Sequence, residues 1–291
     1  MWIVRAERPP LLALGLSRAL VGTIFLLRTT PLLYPFQPSF VRETMPLWGW
    51  PDGGFHAPVL GVALPAWLTV CLCLVRTASA LAFALGVRAR AAGLIAGVTG
   101  YLLLAQDEFA FVQTLHLLFE STLILSLTDA TSSFALVPDK PRSPASSLWL
   151  VRVFTASIYG WAALIKLRVD WMDGRALQVF YEAGALRGPI ARAVCSSFET
   201  RAIVATLIFV VELCLGPALM ARRTRPYALV VAFLLHAGIE MTAKPDVFGW
   251  LMVALLLTFL PARRAEKSEG LRTADDQTVK EHSEPPREAT Q

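Results

Sequence analysis

Apolar residues follow one another from Leu11 to Pro261, broken at short intervals by clusters of charge, proline and glycine. About 20 apolar residues in helical conformation cross a hydrocarbon core of about 30 Å at about 1.5 Å per residue. On that measure the pattern predicts eight transmembrane helices, at roughly 11–33, 59–86, 91–105, 109–128, 148–167, 202–221, 227–243 and 246–261. The first carries Arg18 and Arg28 and has no A-x-A cleavage site, so it reads as a retained helix rather than a signal peptide. The second is overlong and carries Arg76, which predicts a tilt, a break or a buried partner for the arginine. Two stretches are too long to be simple connections. Residues 34–58 contain Trp48-Gly49-Trp50-Pro51-Asp52-Gly53-Gly54, and residues 172–198 mix apolar and charged positions at helical spacing. Both predict segments lying on the membrane surface. Residues 262–291 are polar, without apolar periodicity and with Pro285-Pro286, and predict a disordered tail. The chain is thus read as an all-α polytopic bundle over 1–261, with interfacial helices on its outer face and a cytoplasmic tail over 262–291.

Composition agrees and excludes a soluble globule: 55% of residues are hydrophobic, 17% are charged and the mean hydropathy is +0.54. Charge adds an orientation. Placing the N-terminus inside puts Arg5 and Arg8, Arg88 and Arg90, Lys140 and Arg142, the Arg222–Arg225 cluster, and Arg263, Arg264 and Lys267 all on the inner face. The outer segment 168–201 dissents, its arginines balanced by Asp170, Asp173, Glu182 and Glu199. Both termini are therefore expected in the cytoplasm, and the arginine- and alanine-heavy usage points to a bacterial inner (plasma) membrane. No basic cluster interleaved with aromatics suggests nucleic acid, and Cys71, Cys73, Cys195 and Cys214 have neither disulfide-framework nor zinc spacing. No phosphate loop, G-x-S-x-G elbow, H-E-x-x-H or inverted repeat is present, which disfavours common soluble-enzyme chemistries and a transporter.

Ionisable groups at membrane depth are costly, so each is a candidate for function. Only five of the 27 basic residues are lysines, yet Lys166 stands at the outer end of the fifth span, and lysine can lose its proton where arginine cannot. It reads either as a general base or as a snorkelling side chain paired with Asp170. Two pairs one helical turn apart, His116 with Glu120 and His236 with Glu240, read either as hydrogen-bonded structural pairs or as ligands of a metal held between facing helices. Glu212 inside the sixth span must be paired or protonated, with Lys166, His236 or an arginine as partner. Arg18, Arg28 and Arg76 read as structural counter-ions of Glu212 or Glu120.

The stretch Ala163-Leu164-Ile165-Lys166-Leu167-Arg168-Val169-Asp170-Trp171-Met172-Asp173-Gly174 resembles the lysine-bearing segment of the HTTM membrane domain, found in vitamin K-dependent gamma-carboxylase and in many bacterial proteins. Glu212-Leu213 with Gly216-Pro217, the basic loop ending at Arg225, Phe233-Leu234-Leu235-His236 and Ser126-Leu127-Thr128-Asp129-Ala130 extend the resemblance over about residues 10–261. It implies a membrane enzyme that uses Lys166 to deprotonate a quinol, reduced vitamin K or menaquinol, with oxygen and carbon dioxide as co-substrates. It also implies a quinone epoxide product and a glutamate on a peptide or protein as carboxylation acceptor. His236, Glu212 and His116 are then expected to orient the quinol oxygen or share its proton. Trp161, Asp170 and Trp171, which flank the lysine, are expected to contact the quinol, and no metal is expected. The family's Asn-His pair falls here near Gln113-Thr114, with His116 two residues on. The alternative is a non-enzymatic assembly factor or a quinone- or lipid-binding protein with a separate partner subunit, in which the same groups only hold helices together.

Overall fold

A computed structural model describes residues 11–29, 64–106, 113–141, 143–243 and 247–260, all of them helical or in connections between helices. The helices are α1 (Leu11–Thr29), α2 (Ala66–Leu85), α3 (Ala89–Leu104), α4 (Gln113–Leu127), α5 (Pro144–Lys166), α6 (Val169–Met172), α7 (Arg175–Glu182), α8 (Gly188–Val194), α9 (Phe198–Met220), α10 (Arg225–Thr242) and α11 (Phe248–Leu256). A 3-10 turn, Asp129–Thr131, follows α4, and another, Leu257–Phe259, follows α11.

Each of the eight predicted apolar runs holds one long helix or, for the last, α11 with its 3-10 extension. Several helices begin earlier than the apolar run does, because a helix starts at its cap and not at its first buried residue. α5 opens with Pro144 in its first turn, where a missing N–H costs nothing, and Ser197 caps α9 by accepting from the Thr200 N–H at 3.2 Å. Length and composition qualify four segments to cross a membrane: Leu11–Thr29, Trp67–Leu85, Ala145–Lys166 and Phe198–Met220. The other long helices fall short in length or hydropathy, so the expected eight crossings reduce to four established by this criterion among the described residues. The predicted surface segment 172–198 is built of α7 and α8. The predicted surface stretch 34–58 and the tail 262–291 lie outside the described residues.

The helices pack in two groups. α1, α2, α3 and α4 lie against one another in sequence order, while α5, α9, α10 and α11 form the second group, joined to the first through α1 on α11 and α4 on α5. α3 approaches its neighbours closely because Gly93, Gly97 and Gly100 share one face, against Phe83, Leu123 and Phe119 respectively. In the second group, Gly216 of α9 faces the Ala156 carbonyl of α5, where an added Cβ would stand 2.9 Å from that oxygen. This close approach sets the α5–α9 seam.

Four arginines settle at helix ends. The last carbonyls of a helix have no partner within it, and lipid offers no water to replace one. Arg18 of α1 donates to Phe83 O and, at 3.0 Å, to Ala84 O in the last turn of α2, and also to Ala130 O and Phe134 O. Arg76 of α2 returns the favour, donating to Thr29 O at the end of α1 at 2.9 Å. Arg225 donates to Leu219 O and Met220 O at the end of α9, and Arg152 of α5 to Thr258 O at 2.8 Å. A positive guanidinium at a helix C-terminus also opposes the negative end of the helix dipole. Arg18 and Arg76 are therefore caps for backbone carbonyls, which corrects the expectation that they neutralise Glu212 or Glu120.

The Ser126–Ala130 segment has a structural task. Asp129 accepts from the Ser143 N–H at 2.8 Å, forms an ion pair with Arg90 of α3 at 3.3 Å, and donates its own N–H to Ser147 Oγ at 2.9 Å. It fixes the start of α5 against α3 and α4, and so sets where the far end of α5 arrives.

Candidate functional site

Lys166 is the last residue of α5. Side chains on a helix lean toward its N-terminus, and Lys166 follows this: its Nζ donates to Ala162 O, one turn back, at 3.3 Å. From there the ammonium reaches the Glu212 carboxylate on α9 at 2.7 Å. The approach is that of an ion pair, for Glu212 Oε2 receives no well-aligned hydrogen bond. Trp171 of α6 closes the third side, its ring centroid 5.1 Å from Nζ. The indole is itself anchored, because Nε1 donates to Ala205 O of α9 at 3.1 Å.

The turn that brings Trp171 back over Lys166 depends on Gly174. Its φ of +75° lies in the left-handed region, and a Cβ there would stand 2.6 Å from Cβ of Arg201 and 2.8 Å from the Ala202 nitrogen. The sequence Trp171-Met172-Asp173-Gly174 thus lets α6 and α7 fold flat onto α9. Beyond it, α7 and α8 are held at the same end of the bundle by the Arg187 N–H, which donates to Thr242 O of α10 at 2.7 Å. A cleft of about 390 Å³ opens between α6 and α7, lined by Asp170, Arg175, Ala176, Val179 and Phe180.

Asp170 is not the partner of Lys166, contrary to the snorkelling expectation. It is taken by Arg168, with contacts of 3.0 and 3.1 Å, while Asp173 holds Arg175 at 2.6 Å. Those local pairs also account for two of the five arginines, Arg168 and Arg175, of the 168–201 segment that dissented from the charge pattern. Trp161 is 63% exposed on the outside of α5. Of the three expected quinol contacts, only Trp171 touches the lysine.

A second pair lies on the same face of α5. Tyr159 and His236 of α10 are each 2% exposed, and the Tyr159 hydroxyl is 2.9 Å from His236 Nε2. Phe248 of α11 packs its ring on the imidazole, centroid to centroid 5.4 Å. Tyr159 was missed in the sequence, although it precedes Lys166 by seven residues, close to two full turns.

His116 and Glu120 lie elsewhere, on α4 beside Tyr101 of α3. The Tyr101 hydroxyl donates to His116 O at 3.2 Å, and the two rings are 5.4 Å apart. Glu240 turns to α11, where it accepts the Gly249 N–H. Among the described residues no three His, Cys, Asp or Glu side chains gather in a group that could hold a metal.

Comparison with known proteins gives one match: the family described as "HTTM domain" matches residues 11–263. No curated protein and no solved structure matches the chain.

Proposed function

This chain belongs to the HTTM domain family, and we propose that it binds a quinol at the Lys166 end of its helical bundle and deprotonates it there. The observation that carries the reading is the 2.7 Å Lys166–Glu212 pair, set between apolar helices and turned inward from the surface carboxylates. In the charge-derived orientation, with the N-terminus inside, this end of α5 faces the outer side of the inner membrane and both termini are cytoplasmic.

The residues fit a hydroquinone. His236 Nδ1 is a buried polar atom with no hydrogen-bond partner among the described residues, and Trp171 offers an aromatic face beside Lys166. A bound quinol would supply an acidic phenolic proton and two electrons. A proton passed from Lys166 Nζ to the Glu212 carboxylate, 2.7 Å away, leaves a neutral amine beside a neutral acid. The amine is then a general base for the phenolic proton. Ala162 O and Trp171 keep Nζ in place as its charge changes. Oxygen and carbon dioxide as co-substrates, and a glutamyl side chain as acceptor, follow from the family reading. Lipid is the surrounding medium.

The test is mass-spectrometric detection of quinone epoxide after lipid-reconstituted protein is given reduced vitamin K or menaquinol and oxygen, with Lys166→Ala and Lys166→Met as controls. Epoxide is expected from the wild type alone. Its absence from folded wild-type protein, with a glutamyl peptide also supplied, overturns the reading in favour of a non-enzymatic binder or assembly factor.

A further inference from the structure

The cleft between α6 and α7 takes no part in the Lys166–Glu212 pair, and its lining has a chemistry of its own: one cation, Arg175, one anion, Asp170, and three apolar side chains, Ala176, Val179 and Phe180. Both charges have capacity left. Arg175 commits Nε to Asp173 at 2.6 Å, and its two Nη groups make no hydrogen bond among the described residues. Asp170 accepts twice from Arg168, at 3.1 and 3.0 Å, and a carboxylate has about four acceptor sites. The side chains of Asp170 and Arg175 are 44% and 64% exposed, so neither pair holds its members tightly against a ligand. Together Arg168, Asp170, Asp173 and Arg175 carry no net charge. The same end of the bundle also shows apolar side chains: Leu167, Val169, Val179, Phe180, Ile190 and Phe198 are each 45% to 75% exposed. Apolar groups set among charges in this way suit the headgroup boundary of a bilayer, where the first enter the acyl region and the second meet the headgroups.

We propose that this cleft seats the headgroup of a phospholipid bearing a phosphodiester and a primary ammonium, a phosphatidylethanolamine, drawn from the leaflet in which α6, α7 and α8 lie. The phosphate accepts from the Nη groups of Arg175, the ammonium donates to Asp170, and the acyl chains leave across Val179 and Phe180. The volume of about 390 Å³ stands at the lower end of small-ligand pockets, about 300–1,000 Å³, and suits a headgroup rather than a whole lipid. Balanced charge selects a zwitterion, whereas a rim of unpaired cations would gather anionic lipids. A choline headgroup has no N–H to give Asp170, and its methyl groups hold the positive charge away from the carboxylate. The exposed apolar side chains favour a lipid over a soluble zwitterion or a peptide. Asp170 precedes Trp171 in α6, so a lipid held here also braces the turn that carries the indole to Lys166.

The experiment is native mass spectrometry of the detergent-solubilised full chain titrated with phosphatidylethanolamine, phosphatidylcholine or phosphatidylglycerol of identical acyl chains, for the wild type, Asp170→Asn, Arg175→Gln and Arg168→Gln. The wild type is expected to hold the ethanolamine lipid about three- to fivefold more tightly than the choline lipid, the effect of one exposed ion pair. Asp170→Asn is expected to bring that ratio close to one. Arg175→Gln should weaken both lipids together and keep the ratio. Arg168→Gln leaves Asp170 its charge and should keep the preference or raise it; loss of the preference there would mean that the Arg168–Asp170 pair acts only on the fold, which overturns the proposal. Equal wild-type binding of the ethanolamine and choline lipids, tightest binding of phosphatidylglycerol, or a preference that survives Asp170→Asn also overturns it. Glycerophosphoethanolamine, which lacks acyl chains, is expected not to displace the lipid, and displacement at equal concentration would give the cleft to a soluble phosphoester instead. Loss of glutamyl-peptide binding in Asp170→Asn and Arg175→Gln, with lipid binding unchanged, would give it to a peptide.

Discussion

Lys166 reaches back down its own helix to meet Glu212 across the α5–α9 seam, 2.7 Å away. The pair is a tie between helices as well as a candidate base. Removing one partner leaves the other charge buried, which typically costs about 3–5 kcal/mol, whereas replacing both by apolar groups is often neutral. Lys166→Met and Glu212→Leu are therefore each expected to lower thermal stability, and the double variant to recover most of the loss while remaining inactive. Thermal unfolding of the four proteins in detergent completes the cycle. Additive losses in the double variant would show that the two charges do not depend on each other.

Gly216 and Gly160 offer a matched comparison. A Cβ at Gly216 meets the Ala156 carbonyl, while one at Gly160 meets nothing within 4 Å. Gly216→Ala is expected to push α9 from α5 and cost about 1–3 kcal/mol. Gly160→Ala should be neutral or stabilise α5 by up to about 1 kcal/mol. Thermal stability reads both, and quinol turnover should fall only for Gly216→Ala.

Arg18 tests the capping of helix ends by arginine. Arg18→Met leaves the carbonyls of Phe83, Ala84, Ala130 and Phe134 without their donor, each at a cost of about 1–3 kcal/mol. The expected result is loss of the monodisperse species on size-exclusion chromatography. Arg18→Lys should rescue only in part, because one ammonium cannot reproduce a planar fork spread over four acceptors. Full rescue by lysine would show that charge alone suffices.

Cys195, at the end of α8, lies in the surface segment rather than in a crossing helix. Burial pushes its thiol up, against a smaller downward pull from the Arg201 guanidinium, and its Sγ contacts Leu177 O at 3.8 Å. A raised thiol is less ionised at a given pH, and the thiolate is the reactive form. In a variant with Cys71, Cys73 and Cys214 replaced by alanine, labelling by N-ethylmaleimide at pH 8 is expected to be slower than that of free cysteine. Its rate should rise only above the ordinary thiol range. Fast labelling at pH 8 would contradict a thiol held up by its half-buried setting.

The helices were legible because lipid demands long apolar runs, and the Lys166–Glu212 pair because few ionisable residues compete for partners there. What escaped notice depended on neutral groups. Arg18 and Arg76 find backbone carbonyls, which every residue carries and no sequence pattern marks. Tyr159 looks like one more aromatic in an apolar helix until its spacing from Lys166 is matched with a histidine on α10. Helical spacing offers Asp170 as one of two readings for Lys166, but α5 ends at Lys166, and beyond that point i and i+4 no longer share a face.

The reciprocal capping of α1 and α2 also bears on how the chain is put together. α1 is the earliest of the described helices to be synthesised, yet the acceptors of its Arg18 belong to Phe83, Ala84, Ala130 and Phe134. Until Phe134 has left the ribosome the guanidinium has no complete resting place, and α1 must wait at the insertion machinery or the bilayer edge while α2, α3 and α4 are made. The earliest of the described helices is thus among the last to be finished.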